Sequence, residues 1–437
     1  RPDYTLMNGR VRLFFLDAKK RTVNIKDDNS VAFQIRSYGW SIGASYSVVT
    51  NMDELAIYDC TAMPRHTDNA DFARVVYMKT ENYMDNFDRL NSFLGREETI
   101  SNSHRVRFVG KDSIDKNFSK ALSSVRLNLA QAIINGNHYK ISIADINLWT
   151  QIILNRILFI RVCEARGLER DGLLKDFAAT DFWTEFKRSS YIDFYEHYDG
   201  PMFARIRHIQ DLIIDNAVFD DLLSYLYYPS PYCFDVIPLK SISDIYDLFL
   251  GYHLEYDDSG ILENVLKSEF RKSNGAVTTP EHIVHNTIDS TVPSEYLQSL
   301  TNQQILDLKF LDPACGSGVF LVSIYDHLAT QIESNIEERK DVLPHRYLYE
   351  KDGKKYLNLE GRKLIVNQCL HGVDINQECV EVAKLSLSLK IIDGFEPIDF
   401  NNAGLYGSQI LHGVGVNIKC GNSLVEPDIL ERFSCIS

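Results

Sequence analysis

The chain has 437 residues, 45% hydrophobic and 24% charged, with a net charge of −14 at neutral pH. That length sets a prior of about three domains, and the composition is that of a folded globular protein rather than a collagen-like, disulfide-rich or disordered one. The negative surplus excludes attachment to nucleic acid by bulk attraction alone, while leaving room for a local basic groove. The most apolar stretch, Ile152 to Val162, is broken by Asn155, Arg156 and Arg161, so the sequence predicts no membrane span. Its eight cysteines include no Cys-x-x-Cys pair, which argues against a zinc ribbon or redox motif and fits free thiols in a reducing cytoplasm. The first residues, Arg1-Pro2-Asp3, carry neither an initiator methionine nor a signal peptide, which predicts a segment upstream.

In chain order, Val11 to Leu16 reads as a strand, and Ser30 to Tyr38 as a short helix. Ser47 to Thr50 and Leu55 to Tyr58 are two further strands, joined by the turn Asn51-Met52-Asp53-Glu54. From Asp112 to Lys267 the period becomes helical, with Phe118, Leu122, Val125, Leu129 and Ile133 on one face. Ile146 to Ala165 is a second long helix, ended by Gly167, and helices recur at Leu222 to Tyr227 and Ile245 to His253. This middle region reads as an all-helical spacer. Beyond Asp307, strand and helix alternate. The strands are Leu308 to Leu311, Leu370 to Val373 and Ile418 to Cys420, and the helices are Val319 to Ile332 and Gln377 to Leu389. Such alternation indicates a parallel α/β sheet. Glu337-Glu338-Arg339-Lys340 and Lys351 to Lys355 read as a solvated insertion. The fold class is therefore α/β and multidomain, with boundaries at 1–105, 106–270 and 271–437.

The most informative segment is Asp312-Pro313-Ala314-Cys315-Gly316-Ser317-Gly318, between a strand and a helix. Small residues there let backbone approach a ligand at the carboxyl end of the sheet. A dinucleotide fingerprint needs a third glycine, and position 321 is Leu, which disfavours pyrophosphate. Asp374 closes the next strand, where a carboxylate takes ribose hydroxyls or caps the helix that follows.

These residues resemble motif I of the DNA methyltransferases that move a methyl group from S-adenosylmethionine to adenine N6 or cytosine N4. Gly275-Ala276-Val277-Thr278-Thr279-Pro280 is similar to that family's motif X, at the cofactor's methionine end. Asp374 matches its ribose-binding acid, and Gly421-Asn422-Ser423-Leu424 resembles motif III, beside the adenine. The order is that of the γ class, mostly adenine-N6 enzymes. The resemblance implies a Rossmann-like domain in which Thr279, Pro280, Asp312, Pro313, Ala314, Gly316, Gly318, Asp374 and Asn422 bind S-adenosylmethionine. The family's catalytic motif contains a Pro-Pro pair, and this sequence has none. As written, the segment should bind cofactor without methylating, and the catalytic and target-recognition parts are expected beyond Ser437.

Asp17-Ala18-Lys19 ends the first predicted strand, with Asp17 and Lys19 on one face. With Asp3 nearby, two carboxylates can hold a Mg²⁺ that activates a water, the lysine supporting it. An isolated Asp-x-Lys is commonplace on solvated strands. Pro2-Asp3, Asp17-Ala18-Lys19 and Gln34 followed by Tyr38-Gly39-Trp40 together resemble the PD-(D/E)xK nuclease core, in the form fused to methyltransferases in single-chain restriction-modification enzymes. Thr50-Asn51 and Ile57-Tyr58-Asp59 resemble its later strands, and Arg156 to Gly167 its helical connector. The resemblance implies catalytic Asp3, Asp17, Lys19 and Gln34, with Asp3, Asp17 and Ala18 at the metal. One tension arises from register. A two-residue turn at Asn8-Gly9 makes paired positions sum to 17, setting Asp3 against Phe14 and leaving Asp17 roughly 10 Å further along. Metal sharing requires a turn nearer Arg10, or a bulge.

Tyr38 and Trp40 read as core, His282 and His371 as packing or capping residues, and Cys315 as a small turn residue. The expectation is a Mg²⁺-dependent endonuclease joined to an adenine-N6 methyltransferase, acting on double-stranded DNA in phage defence and cleaving outside its recognition site. The competing readings are a modification methyltransferase with an inert nuclease-like domain, a non-enzymatic cofactor sensor and a nicotinamide dehydrogenase. Oligomeric state is not legible.

Overall fold

A computed structural model of the chain describes residues 2–8, 11–102, 114–198, 200–238, 242, 245, 250–267, 279–338, 343–351, 353–393 and 410–425. Two compact units result. One comprises Arg1–Ala121 with Asp220–Ser241, the other Leu122–Phe219 with Ile242–Ser437.

The first unit is a five-stranded sheet in the order β1-β2-β3-β4-β5. Its strands are β1 (Tyr4–Asn8), β2 (Val11–Ala18), β3 (Tyr46–Thr50), β4 (Glu54–Asp59) and β5 (Arg74–Lys79). β2 and β3 run parallel and the other neighbours antiparallel. A parallel pair needs a crossover, supplied by α1 (Asn29–Ser41). Asp28 caps that helix, its carboxylate accepting from the Ser30 and Val31 N–H groups, as N-cap acids do. Alternation decides what α1 covers: Phe15, Val49, Ala56 and Tyr58 on one sheet face pack with Val31, Ile35 and Tyr38. On the opposite face Phe14, Val48, Ile57 and Val76 form a second cluster, with α2 (Phe87–Leu94) and α3 (Arg96–Asn102) following in sequence. The predicted helix is four residues longer than its Ser30 to Tyr38 reading, and the Asn51 to Glu54 turn forms as expected. β5 was not legible, its alternation being weakened by exposed Val75.

The second unit opens in α4 (Ile114–Gly136), whose predicted face is buried, and α5 (Ile143–Arg166), ended by Gly167 at φ 75°. α5 is long and apolar enough to cross a membrane, but most of it is buried inside the protein. A helix apolar on all sides is a core helix when its polar groups find partners within the fold. Arg156 donates to the Met202 and Ala204 carbonyls, at 2.8 and 2.6 Å. The shorter helices α6 (Leu173–Ala178), α7 (Phe182–Tyr191), α8 (Asp193–Tyr198), α9 (Arg207–Gln210) and α10 (Ala217–Leu226) follow.

Two expectations for this middle region are corrected. It is not all-helical: β6 (Tyr252–Tyr256) and β7 (Leu262–Leu266) form an antiparallel hairpin, so Tyr252 and His253 are strand rather than helix. The Asn147 side chain pins β6 to α5, exchanging hydrogen bonds with both backbone groups of Leu254 at 2.9 Å. Nor is it a separate body. α5 packs on the later helix Gln377–Ile392, while Asp220–Ser241 joins the first unit, where Ser41 Oγ donates to the Pro231 carbonyl at 3.1 Å and Arg12 to the Val236 carbonyl at 2.6 Å.

The unit continues through α11 (Glu281–Thr291), α12 (Ser294–Gln298) and α13 (Asn302–Asp307) into β8 (Phe310–Asp312) and α14 (Val319–Glu337). The insertion holds a hairpin, β9 (Leu348–Lys351) and β10 (Lys354–Leu357), then α15 (Leu359–Leu364). Its Lys354 pairs with Glu337, both exposed, in keeping with a solvated insertion, while Arg339 and Lys340 lie outside the described residues. β11 (Leu370–Asp374), α16 (Gln377–Ile392) and β12 (Ile418–Cys420) complete a parallel sheet of order β12-β11-β8.

α1 lies so close to the sheet that a Cβ on Gly39 would sit 2.6 Å from Ser47 Oγ and closer still to Cys60 Sγ. Gly39→Ala should therefore destabilise the first unit by about 1–3 kcal/mol through overpacking, read as a lower urea midpoint at unchanged slope.

Candidate active and cofactor sites

The carboxyl end of β2 carries the first site. Pairing of Asn8 with Val11 and of Met7 with Arg12 moves the turn one residue on from Asn8-Gly9, and a bulge between Leu6 and Met7 moves the register again, to Leu6 with Phe14 and Tyr4 with Leu16. Both adjustments anticipated for metal sharing are present. Asp3 consequently reaches the end of β2, where its Oδ2 accepts the Ala18 N–H at 2.7 Å. The Lys19 ammonium lies 2.7 Å from Asp17 Oδ2 and donates to Gln34 Oε1, also at 2.7 Å. Gln34 Nε2 in turn donates to the Tyr38 hydroxyl at 3.0 Å. Asp3, Asp17, Lys19 and Gln34 are thus brought together, from two strands and a helix.

Asp17 is 3% exposed, and its Oδ2 accepts no hydrogen bond, the Lys19 contact being an ion pair without hydrogen-bond geometry. Asp17 beside the Lys19 ammonium and Asp3 on the Ala18 N–H set two carboxylates and one ammonium at this strand end, a net negative group of hard oxygens. Among the described residues no three His, Cys, Asp or Glu side chains cluster as a metal site. A pair of carboxylates plus the Ala18 carbonyl nevertheless suits Mg²⁺, which keeps several waters and typically takes only one or two protein carboxylates. Tyr38 and Trp40 are buried, as expected of core, but Tyr38 also anchors Gln34. The four-residue spacing of these two on a helix was the available signal.

The second site lies at the carboxyl ends of β8 and β11. Gly316 and Gly318 take left-handed conformations, φ 53° and 89°. A Cβ on Gly316 would meet nothing within 4 Å, so the turn presents bare backbone to open space, whereas one on Gly318 would lie 3.3 Å from the Ala383 Cβ of α16. The Cys315 N–H donates to the Val373 carbonyl at 2.9 Å, and the Gly316 N–H to Asp374 Oδ2 at 2.9 Å. Asp374 Oδ1 accepts the Asn376 N–H at 2.8 Å. The helix cap is Asn376, which accepts the Glu378 N–H at 2.8 Å, so Asp374 remains at the turn with lone pairs to spare on each oxygen. Asn422 sits just beyond β12, and the Gly421 N–H donates to the Asp374 carbonyl at 2.9 Å, bringing that loop to the same strand end.

Asp312 turns its Oδ1 to the Ala314 N–H at 3.1 Å, while Pro313 and Ala314 are exposed. Thr279 and Pro280 precede α11, with Pro280 at its N-cap, and α11 packs on α14. Gly275 to Thr278 lie outside the described residues. Burial pushes the Cys315 thiol up to about 12, with Asp312 and Asp374 adding to the effect. It is a protonated turn residue rather than a nucleophile.

The DNA-methyltransferase domain family of MmeI matches residues 286–424. The chain is 29% identical over 440 residues to the type II restriction enzyme and methyltransferase RM.Eco57I of Escherichia coli, covering 98% of this chain and 42% of that protein. It is 25% identical to the putative type II restriction enzyme and methyltransferase RM.MjaORFECS2P of Methanocaldococcus jannaschii, covering 63% of this chain and 27% of that one. The solved structure of a DrdV–DNA complex is similar at 13% identity and a TM-score of 0.36, over 99% of this chain and 36% of that one. The chain is a relative of single-chain restriction enzyme–methyltransferases, and it spans less than half the length of these two curated relatives.

Burial raises the Asp312 carboxyl above its ordinary 3.8, opposed by the Ala314 N–H and reinforced by Asp374. A carboxyl raised by folding destabilises the folded state when ionised: the penalty is absent below the unfolded value and complete above the folded one. The thermal midpoint of wild type should therefore fall relative to Asp312→Asn as pH rises from about 4 to about 7. Parallel midpoints across that range would contradict the assignment.

Proposed function

We propose that this chain contributes a Mg²⁺-dependent endonuclease and the cofactor-binding region of an S-adenosylmethionine-dependent adenine-N6 methyltransferase to a restriction-modification enzyme acting on double-stranded DNA in the cytoplasm. The observation that carries the nuclease half is the convergence of Asp3, Asp17, Lys19 and Gln34 at the end of β2, with a buried Asp17 oxygen that accepts no hydrogen bond. The relatives named above, each called a restriction enzyme and methyltransferase, support the pairing of activities. Methylation of adenine N6 and cleavage outside the recognised sequence rest on the resemblance in the sequence.

Asp3, Asp17 and the Ala18 carbonyl would hold Mg²⁺. Bound there, the metal supplies Lewis-acid polarisation of a phosphate and a water of lowered pKa. Lys19, fixed between Asp17 and Gln34, presents a positive charge where negative charge develops on the phosphoryl oxygens. Gln34, itself held by Tyr38, limits the lysine's rotamers, so less ordering entropy is lost when DNA arrives.

In the other unit the Gly316–Gly318 turn leaves backbone open to S-adenosylmethionine, which brings an activated methyl group. Asp374 would accept from the ribose hydroxyls, and Asn422, Thr279 and Pro280 would complete the cofactor's site, as the family resemblance implies. Asp312, Pro313 and Ala314 shape the turn that these contacts require.

The test uses unmethylated plasmid DNA with Mg²⁺ and S-adenosylmethionine, scoring cleavage and adenine methylation in the protein that carries this chain. Asp17→Ala should lower cleavage at least about a thousandfold, as expected when several kcal/mol of transition-state stabilisation are removed, and leave methylation intact. Undiminished cleavage in that variant would sink the nuclease assignment. Methylation without any cleavage in the wild type would leave a methyltransferase with an inert nuclease fold.

A further inference from the structure

Arg126, on α4, is fully buried within the second unit, and its guanidinium donates to Glu378 Oε2 at 2.7 Å. Further hydrogen bonds hold it in the helical layer, among them those to Asn147 Oδ1 at 2.9 Å, the Asn147 carbonyl at 3.3 Å, the Tyr252 carbonyl at 3.2 Å and Thr150 Oγ1 at 3.4 Å. These partners are neutral, whereas Glu378, in the first turn of α16, forms an ion pair with the guanidinium. From there the hydrogen bonds continue without a gap. The Glu378 N–H is held by Asn376 Oδ1 at 2.8 Å, the Asn376 N–H by Asp374 Oδ1 at 2.8 Å, and the other Asp374 oxygen by the Gly316 N–H at 2.9 Å. A buried cation far away in sequence is thereby tied, through one helix turn, to the carboxylate and the glycine turn of the cofactor site.

We infer that Arg126 is a positioning residue for cofactor binding, fixing through Glu378 and Asn376 the direction in which Asp374 presents its carboxylate to the ribose. The inference rests on the S-adenosylmethionine reading above. A carboxylate that must accept ribose hydroxyls while keeping two backbone donors has little rotational latitude. The segment Asp374-Ile375-Asn376 supplies little packing of its own, because Ile375 is 75% exposed. Its conformation must be set from the helix that follows. A fully buried guanidinium already anchored by four neutral acceptors is a rigid point from which to set it, and a buried charge gives up its partner only at high cost.

The test measures equilibrium binding of S-adenosylhomocysteine and of its 2′,3′-dideoxyribose analogue to wild type, Arg126→Met and Glu378→Gln. Arg126→Met should weaken S-adenosylhomocysteine about tenfold, roughly 1.4 kcal/mol, and the dideoxy analogue less than about twofold, since the analogue lacks the groups Asp374 would hold. Glu378→Gln, which keeps an acceptor but removes the charge that meets Arg126, should weaken S-adenosylhomocysteine in the same ligand-selective way and by less than Arg126→Met. Equal weakening of both ligands by Arg126→Met, or no weakening of either, would overturn the inference. If Arg126→Met shows no cooperative thermal transition, the double variant Arg126→Met/Glu378→Met, which leaves no buried charge unpaired, is judged by the same criterion. Wild type that binds neither ligand would instead remove the cofactor reading itself.

Discussion

Parallel strands cannot be joined by a tight turn, so each pair must be bridged by a crossover that covers the sheet and leaves the strands' carboxyl ends open. Both candidate sites stand on that constraint. In the first unit the β2–β3 pair forces α1 across the sheet, and the same crossover that buries Phe15 and Val49 delivers Gln34 to Lys19. In the second, β8 and β11 end side by side, and the chain leaves them through the Gly316–Gly318 turn and the Asp374–Asn376 turn. Antiparallel neighbours would have closed these ends with hairpins.

Charge is handled differently at the two ends. Asp17 is buried with the Lys19 ammonium 2.7 Å from Oδ2 as an ion pair and no other donor on that oxygen among the described residues. Asp374 instead accepts one backbone N–H on each oxygen and keeps a lone pair to spare on each, as suits a neutral hydroxyl. The two carboxylates differ because one ends a strand beside an ammonium and the other ends a strand facing a glycine turn. An acidic chain thus uses local geometry, not net charge, to define what each site can take.

The helical region contributes rigidity. α5 is apolar enough to be mistaken for a membrane segment, yet it carries Asn147, Asn155 and Arg156 in buried positions. Asn147 holds both Leu254 and Arg126, and Arg156 holds two carbonyls, so these polar groups fix register where apolar packing alone would permit sliding. Hydrogen-bonded in this way, the region packs as one body with the α/β layer rather than standing apart as a spacer.

The sequence by itself determined the alternating strands and helices after Asp307, the apolar face from Phe118 to Ile133, the Gly167 stop, and the residue types of both sites, because each follows from local period or from glycine's freedom at positive φ. The glycine turn and Asp374 were legible because strand, turn and acid are contiguous or nearly so. The tertiary structure alone decided three things. A turn one residue later and a single-residue bulge brought Asp3 to the end of β2, and neither has a local propensity strong enough to read. The hairpin Tyr252–Leu266 replaced an expected helix end: its two strands pair with each other, and Asn147, more than a hundred residues away, takes both backbone groups of Leu254. The tie from Arg126 to Glu378 links positions 252 residues apart, and no pattern in the chain marks it, since a buried cation is recognised only by the carboxylate that folding sets against it.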